Sequence, residues 1–422
     1  MDWLRPYGLV INGVLERGLE IAIVDGVIQE IRASTHKPEP FVISPAFVNA
    51  HSHLEYRGMQ DAIDHPEYFG WIYELSRLKP LESPEYVREQ CDLAARENRI
   101  TGVAMIGEHS DRLGSAEAMT KHRLGGWIFQ EVITSGSPDV GATVALIKKR
   151  LEETKAILDF GQESQNLGSG SLAQRDTSLD REVGEPANRV SRLSEANIFA
   201  SLSPHAYFTV AREVLQALGE NKEPISIHVA ESVHESNLTK FGTGPIAERR
   251  NAQGVHYDVY GLSVVAVLND LGVLRKGVQC VHCCDVDDTD IEIMTKRGVT
   301  IAHCPRSNVR LQCPVAPIRE FLDAGITVGL GLDSPASGGP INMFAEMRSA
   351  LAVAENRGKP LTGEEVWRMA TSQGYKSFGK PGPNEWDIYE GSATPLISIN
   401  ISGATNFAEL IDLGTPSAVS WI

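Results

Sequence analysis

The chain has 422 residues, enough to bury a large hydrophobic core, and its 42% hydrophobic and 22% charged residues are ordinary for a globular protein. Its formal net charge of -16 argues against nucleic acid or an anionic membrane as the main partner. The first residues lack the pattern of a secretory leader, no apolar run is long enough to span a bilayer, and six cysteines are too few for a disulfide framework. We therefore expect a cytoplasmic protein with no membrane or nucleic-acid partner.

The first 45 residues alternate short apolar runs with turn signals. Asn12-Gly13 and Asp25-Gly26 each separate two apolar runs. Such dipeptides favour hairpins because both turn positions need a positive φ. Runs typical of strands return near residue 396. We expect the two ends of the chain to form one small β-sandwich.

Between these ends the chain repeats a short β-rich run, a polar junction and an amphipathic segment. The runs typical of strands lie near 47–53, 102–107, 126–133, 197–203, 224–230, 278–283, 299–303 and 326–332. Strands that alternate with helices predict a parallel sheet, and eight such units predict a (β/α)8 TIM barrel. An open, doubly wound sheet is the alternative, but no Gly-x-Gly-x-x-Gly turn follows the first run.

A polar stretch rich in Gly and Ser interrupts this rhythm at 160–192 and predicts a flexible surface insertion. The predicted domains are 1–45 and 379–422 for the two parts of the sandwich and 46–378 for the barrel. The Pro- and Gly-rich segment 380–383 also departs from a compact pattern.

Reactive side chains collect where the predicted strands end. They are His51, His53, His205, His228, Glu231, His282, His303 and Asp333. In a parallel barrel these strand ends meet on the face where barrel enzymes hold their catalytic groups. One such histidine alone is more often structural, but their joint placement predicts a functional site.

Four of these residues are suited to hold one metal ion. They are His51, His53, His228 and Asp333, which offer three imidazole nitrogens and a carboxylate oxygen. This ligand set suits Zn²⁺ or Fe²⁺, with a further position open for water. His51 and His53 are two residues apart, so strand geometry directs both to one face. Such an ion lowers the pKa of bound water toward about 7.

Two further residues are candidates for acid-base catalysis. Glu231 lies three residues beyond His228, where it can reach the water without binding the metal. A carboxylate in that position is suited to shuttle protons. His282 is placed to orient the attacking water or to stabilise developing charge, with Asp333 assisting.

Two competing interpretations are weaker. A thiolate zinc site could use the Cys-x-x-Cys formed by Cys280 and Cys283, but on a strand these two side chains face opposite sides. The cysteines are better explained as small core residues. Ser334 is not in a Gly-x-Ser-x-Gly elbow, so a serine hydrolase is not expected.

The motifs together resemble the amidohydrolase superfamily. The matching segments are Asn49-Ala50-His51-Ser52-His53, Ser203-Pro204-His205, His228-Val229-Ala230-Glu231, Val281-His282-Cys283, Ala302-His303-Cys304-Pro305-Arg306-Ser307-Asn308 and Gly331-Leu332-Asp333-Ser334-Pro335-Ala336-Ser337. More narrowly, they are similar to the branch of S-adenosylhomocysteine/methylthioadenosine deaminases, aminodeoxyfutalosine deaminases and triazine chlorohydrolases. The resemblance covers nearly the full chain in the right order.

The resemblance implies a metal-dependent barrel with a flanking β-sandwich. It implies one Zn²⁺ or Fe²⁺ on the four ligands already named, with Glu231 as the proton shuttle. It also implies that His282 assists attack on the ring carbon and that His205 contacts the substrate. His303 belongs to a recurrent motif but receives no catalytic role.

Departures from the family pattern bear on the substrate. Ser52 stands where Thr is frequent, and Ser334 follows the last ligand where Gly is frequent. Leu54 and Glu55 after the histidine pair look closer to aminodeoxyfutalosine deaminases. Glu55 and Arg57 are candidates to bind a ribose or a polar tail. The alternative is that both are solvated or paired with each other.

We therefore expect hydrolytic deamination of an aminated heterocycle. The favoured substrate is an adenine-type nucleoside such as 6-amino-6-deoxyfutalosine, S-adenosylhomocysteine, methylthioadenosine or adenosine. The group removed is its 6-amino group. Dechlorination, amide cleavage and cytosine- or guanine-type deamination are alternatives on the same site. A non-catalytic barrel scaffold would lack a ligand or the acid-base group, and none is missing here. The expected partner is a small-molecule substrate, and a homo-oligomer is compatible with the composition.

Overall fold

The computed structural model describes residues 3–135, 137, 139–168, 197–379, 386–401 and 403–422, with side chains up to residue 160 in the helix that ends at 168. The predicted insertion 160–192 begins inside that helix, and the rest of it lies outside the described residues. The segment 380–383 also lies outside them. In the part of the chain that is described, no helix is long and apolar enough to cross a membrane.

Sixteen strands are present among the described residues. They are β1 (Trp3–Leu4), β2 (Pro6–Ile11), β3 (Val14–Glu16), β4 (Leu19–Val24), β5 (Val27–Ala33), β6 (Glu39–Pro45), β7 (Phe47–Ser52), β8 (Val103–Ser110), β9 (Gly125–Val132), β10 (Ile198–Pro204), β11 (Ile225–Val229), β12 (Val278–His282), β13 (Thr300–His303), β14 (Val328–Leu330), β15 (Leu396–Ile399) and β16 (Val419–Trp421). The α-helices are Tyr68–Leu78, Pro84–Ile100, Ser115–Lys121, Val140–Gly168, Arg212–Gly219, Val233–Phe241, Pro245–Gln253, Val264–Asp270, Asp288–Arg297, Pro305–Arg310, Ile318–Asp323, Pro335–Gly338, Met343–Asn356, Gly363–Met369, Ser372–Lys376 and Phe407–Leu413.

Both ends of the chain build one small β unit, as the sequence predicts. One sheet has the order β1-β4-β5 and the other β16-β15-β6-β2-β3. β15, from the C-terminal part, pairs antiparallel with β6, from the N-terminal part. The two hairpins form at turns where Asn12 and Asp25 adopt a positive φ of 50°. Leu9, Ile28 and Leu396 belong to a buried apolar cluster of this unit.

The eight central strands are parallel and follow the chain in order. β7 to β10 form one four-stranded sheet, and β11 to β14 form another. Single parallel bridges join the two sheets at both edges, between Ser52 and Asp333 and between Ala206 and His228. The order lacks the reversal that an open doubly wound sheet requires. The α/β class, the eight parallel strands and the flanking β unit are therefore as predicted, although the hydrogen-bonded ladder is interrupted where the two sheets meet.

Burial on both faces explains the composition of these strands. Every residue of β7, β8 and β9 is buried, so the sequence reads as continuous apolar runs interrupted only near the strand ends. Surrounding helices start at sequence-encoded caps. Ser83 accepts a hydrogen bond from the backbone N–H of Tyr86, with Pro84 at the first helical position. The hydrophobic core is thus formed between the strands and these helices, and polar residues gather at the carboxyl ends of the strands.

Candidate metal centre and active site

Four of the predicted ligands converge at the carboxyl ends of three strands. His51 lies in β7, and His53 follows this strand directly. His228 lies in β11, and Asp333 follows β14 by three residues. All four are buried, with at most 8% of their surface exposed. The alternation of the strand directs His51 and His53 to the same interior, as their spacing predicts.

The distances between these side chains are short enough for one ion. His51 Nε2 lies 3.7 Å from Asp333 Oδ1, and His53 Nε2 lies 3.8 Å from the same oxygen. The rings of His51 and His228 have centroids 5.0 Å apart. Potential ligand atoms of His51, His53 and Asp333 all lie within 4.8 Å of one another. His228 forms equally compact groups with His51 and His109 and with His53 and Glu131.

The hydrogen-bonding state of these histidines fits a metal site. Both ring nitrogens of His51 and Nδ1 of His53 are buried without a hydrogen-bond partner among the described residues. Leaving a buried polar atom unpaired costs about 1–3 kcal/mol, so these nitrogens call for a ligand. Burial lowers the pKa of His51 to about 3 and that of His53 well below its ordinary value. Both rings are therefore neutral, which is the form that binds Zn²⁺ or Fe²⁺.

His228 is oriented by the backbone. Its Nδ1 lies 2.8 Å from the carbonyl oxygen of His205, to which it donates. Since that bond occupies Nδ1, Nε2 is the nitrogen available to a metal ion. A hydrogen bond of this kind fixes both the tautomer and the ring orientation of a ligating histidine.

Glu231 and His282 lie together beside Asp333. His282 Nε2 is 3.5 Å from Glu231 Oε1, and the potential ligand atoms of all three residues lie within 4.8 Å of one another. Burial, reinforced by the charge of Asp333, raises the pKa of Glu231 well above its usual range. A carboxyl group with a raised pKa can both accept and return a proton near neutral pH.

Unusual backbone conformations are concentrated at the same strand ends. Ala230, His282 and Asp333 have positive φ angles of 49°, 71° and 55°. Residues with a Cβ rarely adopt this region, which costs of order 1–3 kcal/mol, and such residues cluster at functional sites. Close packing adds a second constraint, since a Cβ on Gly331 would lie 2.7 Å from Cβ of His51. The chain therefore admits only glycine beside this ligand.

A pocket opens onto these residues, and its lining combines two kinds of side chain. The polar ones are His53, His205, His228, Glu231, His282 and Asp333. The aromatic and aliphatic ones, which we call the apolar wall, are Tyr56, Tyr68, Trp71, Ile72, Leu75 and Leu311. Trp71 Nε1 is buried without a hydrogen-bond partner among the described residues. His205, the predicted substrate contact, therefore lies in the pocket, and its Nδ1 is 2.9 Å from Thr209 Oγ1.

The structure does not bring Glu55 and Arg57 into this lining. Glu55 is buried and accepts hydrogen bonds from the backbone N–H and the guanidinium of Arg112, at 2.9 and 3.3 Å. Arg57 pairs with Glu97 on the helix Pro84–Ile100, with Nη2 and Oε1 2.6 Å apart. These observed contacts do not match the prediction that Glu55 and Arg57 bind a substrate. They also do not match the alternative that Glu55 and Arg57 pair with each other.

Two residues of the site are missing from the sequence prediction. His109 lies at the carboxyl end of β8, with its ring centroid 4.4 Å from that of His51. Its Nδ1 is 3.3 Å from Glu131 Oε1, and its Nε2 is 2.8 Å from Ser226 Oγ. The predicted strand ends at residue 107, so the sequence prediction does not place His109 at a strand end. Glu131 lies inside a predicted strand, and only the inward direction of its side chain could have marked it as a residue of the site.

The remaining histidine and the cysteines do not join the cluster. His303 is buried, and neither of its ring nitrogens has a partner in the part of the chain that the structure describes. Burial lowers its pKa to about 3. Among the described residues, no group with metal-ligand spacing includes a cysteine. Cys280 and Cys283 are buried free thiols, in keeping with a role in the core.

The fold and this site together fit one class of protein, the metal-dependent hydrolases built on parallel α/β strands. The chain belongs to the amidohydrolase family, whose family model matches residues 42–382. This confirms the family that the motifs predict.

Comparison with individual proteins agrees with this family assignment. A 5-methylthioadenosine/S-adenosylhomocysteine deaminase of Thermococcus kodakarensis is 28% identical over 374 residues, covering 86% of this chain and 74% of that protein. A zinc-bound adenosine deaminase from Xanthomonas campestris superposes with a TM-score of 0.74 at 20% identity, covering 99% of this chain and 90% of the other. Helicobacter pylori aminofutalosine deaminase in complex with methylthio-coformycin gives 0.75 at 15% identity, covering 99% and 100%. The two structural likenesses show the fold.

Proposed function

We propose that the protein is a metal-dependent hydrolytic deaminase that replaces the 6-amino group of an adenine-type nucleoside by oxygen and releases ammonia. The observation that carries this proposal is the meeting of Glu231, His282 and Asp333 beside His51 and His53, which have three buried ring nitrogens without a partner among the described residues. The deaminase named above, at 28% identity over most of this chain, supports the choice of reaction.

The residues that would hold the ion are His51, His53, His228 and Asp333. When bound, a divalent ion of this kind supplies Lewis-acid activation of water. The protein's own metal, zinc or Fe²⁺, is to be identified by elemental analysis of the purified protein. We propose a reducing, cytoplasmic setting, which is supported by six cysteines without a disulfide.

The surrounding side chains would carry out the proton transfers. Water adds to the ring carbon, and Glu231 accepts the proton that it gives up. Glu231 then delivers that proton to the ring nitrogen. In the second half of the reaction it accepts the proton of the added hydroxyl group and delivers it to the leaving amine. The carbon–nitrogen bond breaks, ammonia leaves and the ring retains a carbonyl oxygen. His282 lies 3.5 Å from Glu231, where a hydrogen bond can stabilise the charge that develops.

The apolar wall would hold the flat ring against these groups. Tyr56, Tyr68 and Trp71 offer aromatic surfaces in the same pocket as His282 and Glu231. The wall also favours a second candidate substrate class, aminated rings that carry alkyl groups. Its six side chains are apolar or aromatic, and none is charged. An ammonia-release assay against aminopurine nucleosides, alkylated aminotriazines and aminopyrimidines would separate the two.

Replacing the proton shuttle tests the mechanism. We expect Glu231→Gln to retain stoichiometric metal and to lose ammonia release by at least about 100-fold, because acid-base catalysis contributes about 10²–10⁴-fold. Glu248→Gln, at an exposed carboxylate on the helix Pro245–Gln253, is the control and should behave as the parent. Retained turnover in Glu231→Gln would exclude this role for Glu231. Inactivity of the parent on every 6-aminopurine would exclude the nucleoside substrate.

A further inference from the structure

Asn308 makes a contact that the proposed mechanism has not used. It lies on the short helix Pro305–Arg310, which follows β13, and it is 4% exposed. Its Nδ2 is 3.0 Å from His282 Nδ1 and 3.5 Å from Glu231 Oε1. One amide group thus touches both members of the proposed acid-base pair.

The chemistry of these contacts fixes the proton on His282. In the ionised form that accepts a proton from water, Glu231 only accepts hydrogen bonds, so the amide atom of Asn308 that faces it is the donor nitrogen. The same nitrogen faces His282 Nδ1, and it therefore donates there as well. Nδ1 must then carry no proton, and the proton of the neutral ring lies on Nε2. That nitrogen is 3.5 Å from Glu231 Oε1 and points toward the pocket.

We propose that Asn308 is a positioning residue that holds His282 as the Nε2–H tautomer, so that His282 donates a hydrogen bond into the active site and does not act there as a base. This role rests on the proposed function, because it concerns the same proton transfers. His282 then stabilises negative charge that develops on oxygen, while Glu231 remains the group that accepts and returns protons.

Neighbouring contacts hold Asn308 and Glu231 in place. Asn308 donates its backbone N–H to the carbonyl of Cys304 at 3.0 Å. Tyr68 forms a side-chain hydrogen bond with Glu231, and the backbone N–H of Tyr68 donates to Leu311 at 3.0 Å. The helix that carries Asn308 and the helix that begins at Tyr68 are therefore tied together around the acid-base pair. A residue held this firmly can select one tautomer.

Kinetics provide the first test. We expect Asn308→Ala to lower kcat by about 10- to 100-fold, the usual effect of losing a partner that orients a catalytic histidine, with KM changed by less than about 3-fold. We expect Asn308→Asp to lose more, because its carboxylate accepts a proton from Nδ1 and selects the opposite tautomer. Ser307→Ala is the matched control, since Ser307 is buried on the same helix and its hydroxyl has no partner among the described residues. Wild-type kcat in Asn308→Ala would overturn the proposal.

Nitrogen-15 NMR of the zinc-loaded protein provides a second test that a purely structural role would not affect. The resonances of His282 are assigned by their absence in His282→Gln. We expect an unprotonated Nδ1 and a protonated Nε2 in the parent, and the reverse in Asn308→Asp. A protonated Nδ1 in the parent would refute the inference. Because this spectrum needs no substrate, it stays informative if the parent deaminates none of the amines tested, an outcome that would refute only the proposed function.

Discussion

Two largely buried polar clusters contain residues only two positions apart in the chain, His53 and Glu55, and they differ in how their polar atoms are satisfied. The metal cluster consists of His51, His53, His228 and Asp333. The Glu55 cluster consists of Glu55, Ser110, Arg112 and Glu82. Glu55 is 1% exposed and His51 is 0% exposed, so burial does not separate them.

Hydrogen bonding does separate the two clusters. Glu55 accepts bonds from Ser110 and Arg112, and Arg112 also reaches Glu82 at 2.9 Å. Neither nitrogen of His51 has a partner among the described residues. Buried polar groups with partners hold the fold together, whereas neighbouring histidines and a carboxylate that leave buried nitrogens without partners fit a bound ion. We infer from this comparison that the Glu55 cluster has a structural role and that the metal cluster has a catalytic role.

Removing a metal ligand should have the largest effect on activity. We expect His51→Ala to lower metal content and to reduce ammonia release by more than about 100-fold, since losing an outer-shell partner alone costs about 10- to 100-fold. Added zinc should raise the melting temperature of the parent and not of the variant, because only a protein that binds the ion gains stability from it. Elemental analysis and thermal unfolding with and without zinc measure this. An unchanged metal content would remove His51 from the metal cluster.

Breaking the Glu55 cluster should act on stability instead. We expect Glu55→Ala to lower the free energy of unfolding by about 2–4 kcal/mol, because it leaves the largely buried guanidinium of Arg112 with only part of its partners. Metal content and KM should stay the same. Glu55→Gln keeps the side-chain volume and one acceptor, so it should lose less. A raised KM without a loss of stability would instead make Glu55 a substrate-binding residue.

Arg57 should show the smallest effect. Its ion pair with Glu97 is partly exposed, at 26% and 30% of the two side chains. Partly exposed pairs contribute about 0.5–1 kcal/mol, so Arg57→Ala should cost no more than that in urea unfolding. Its kinetic constants should equal those of the parent. A changed preference among substrates with different tails would place Arg57 back at the pocket.

The sequence by itself determined the strands, the family and the positions of the proposed ligands. Apolar runs recur because most central strands are buried on both faces, and the titratable side chains of the site stand toward the ends of strands. His51 and His53 follow from a two-residue period, and His228 and Asp333 from their places at later strand ends. Local rules are sufficient here because the carboxyl ends of parallel strands meet on one face.

Only the tertiary structure decided which neighbours these residues meet. Glu55 and Arg57 lie next to the ligands in sequence, but the turn Leu54–Met59 directs them toward Arg112 and Glu97 and away from the pocket. Asn308 and His282 are 26 residues apart and come within 3.0 Å through packing of two separate elements. Which side chains come into contact in this way depends on distances between separate elements of the fold. No local sequence pattern encodes those distances. The satisfied and unsatisfied atoms that distinguish the two clusters become visible only in the folded chain.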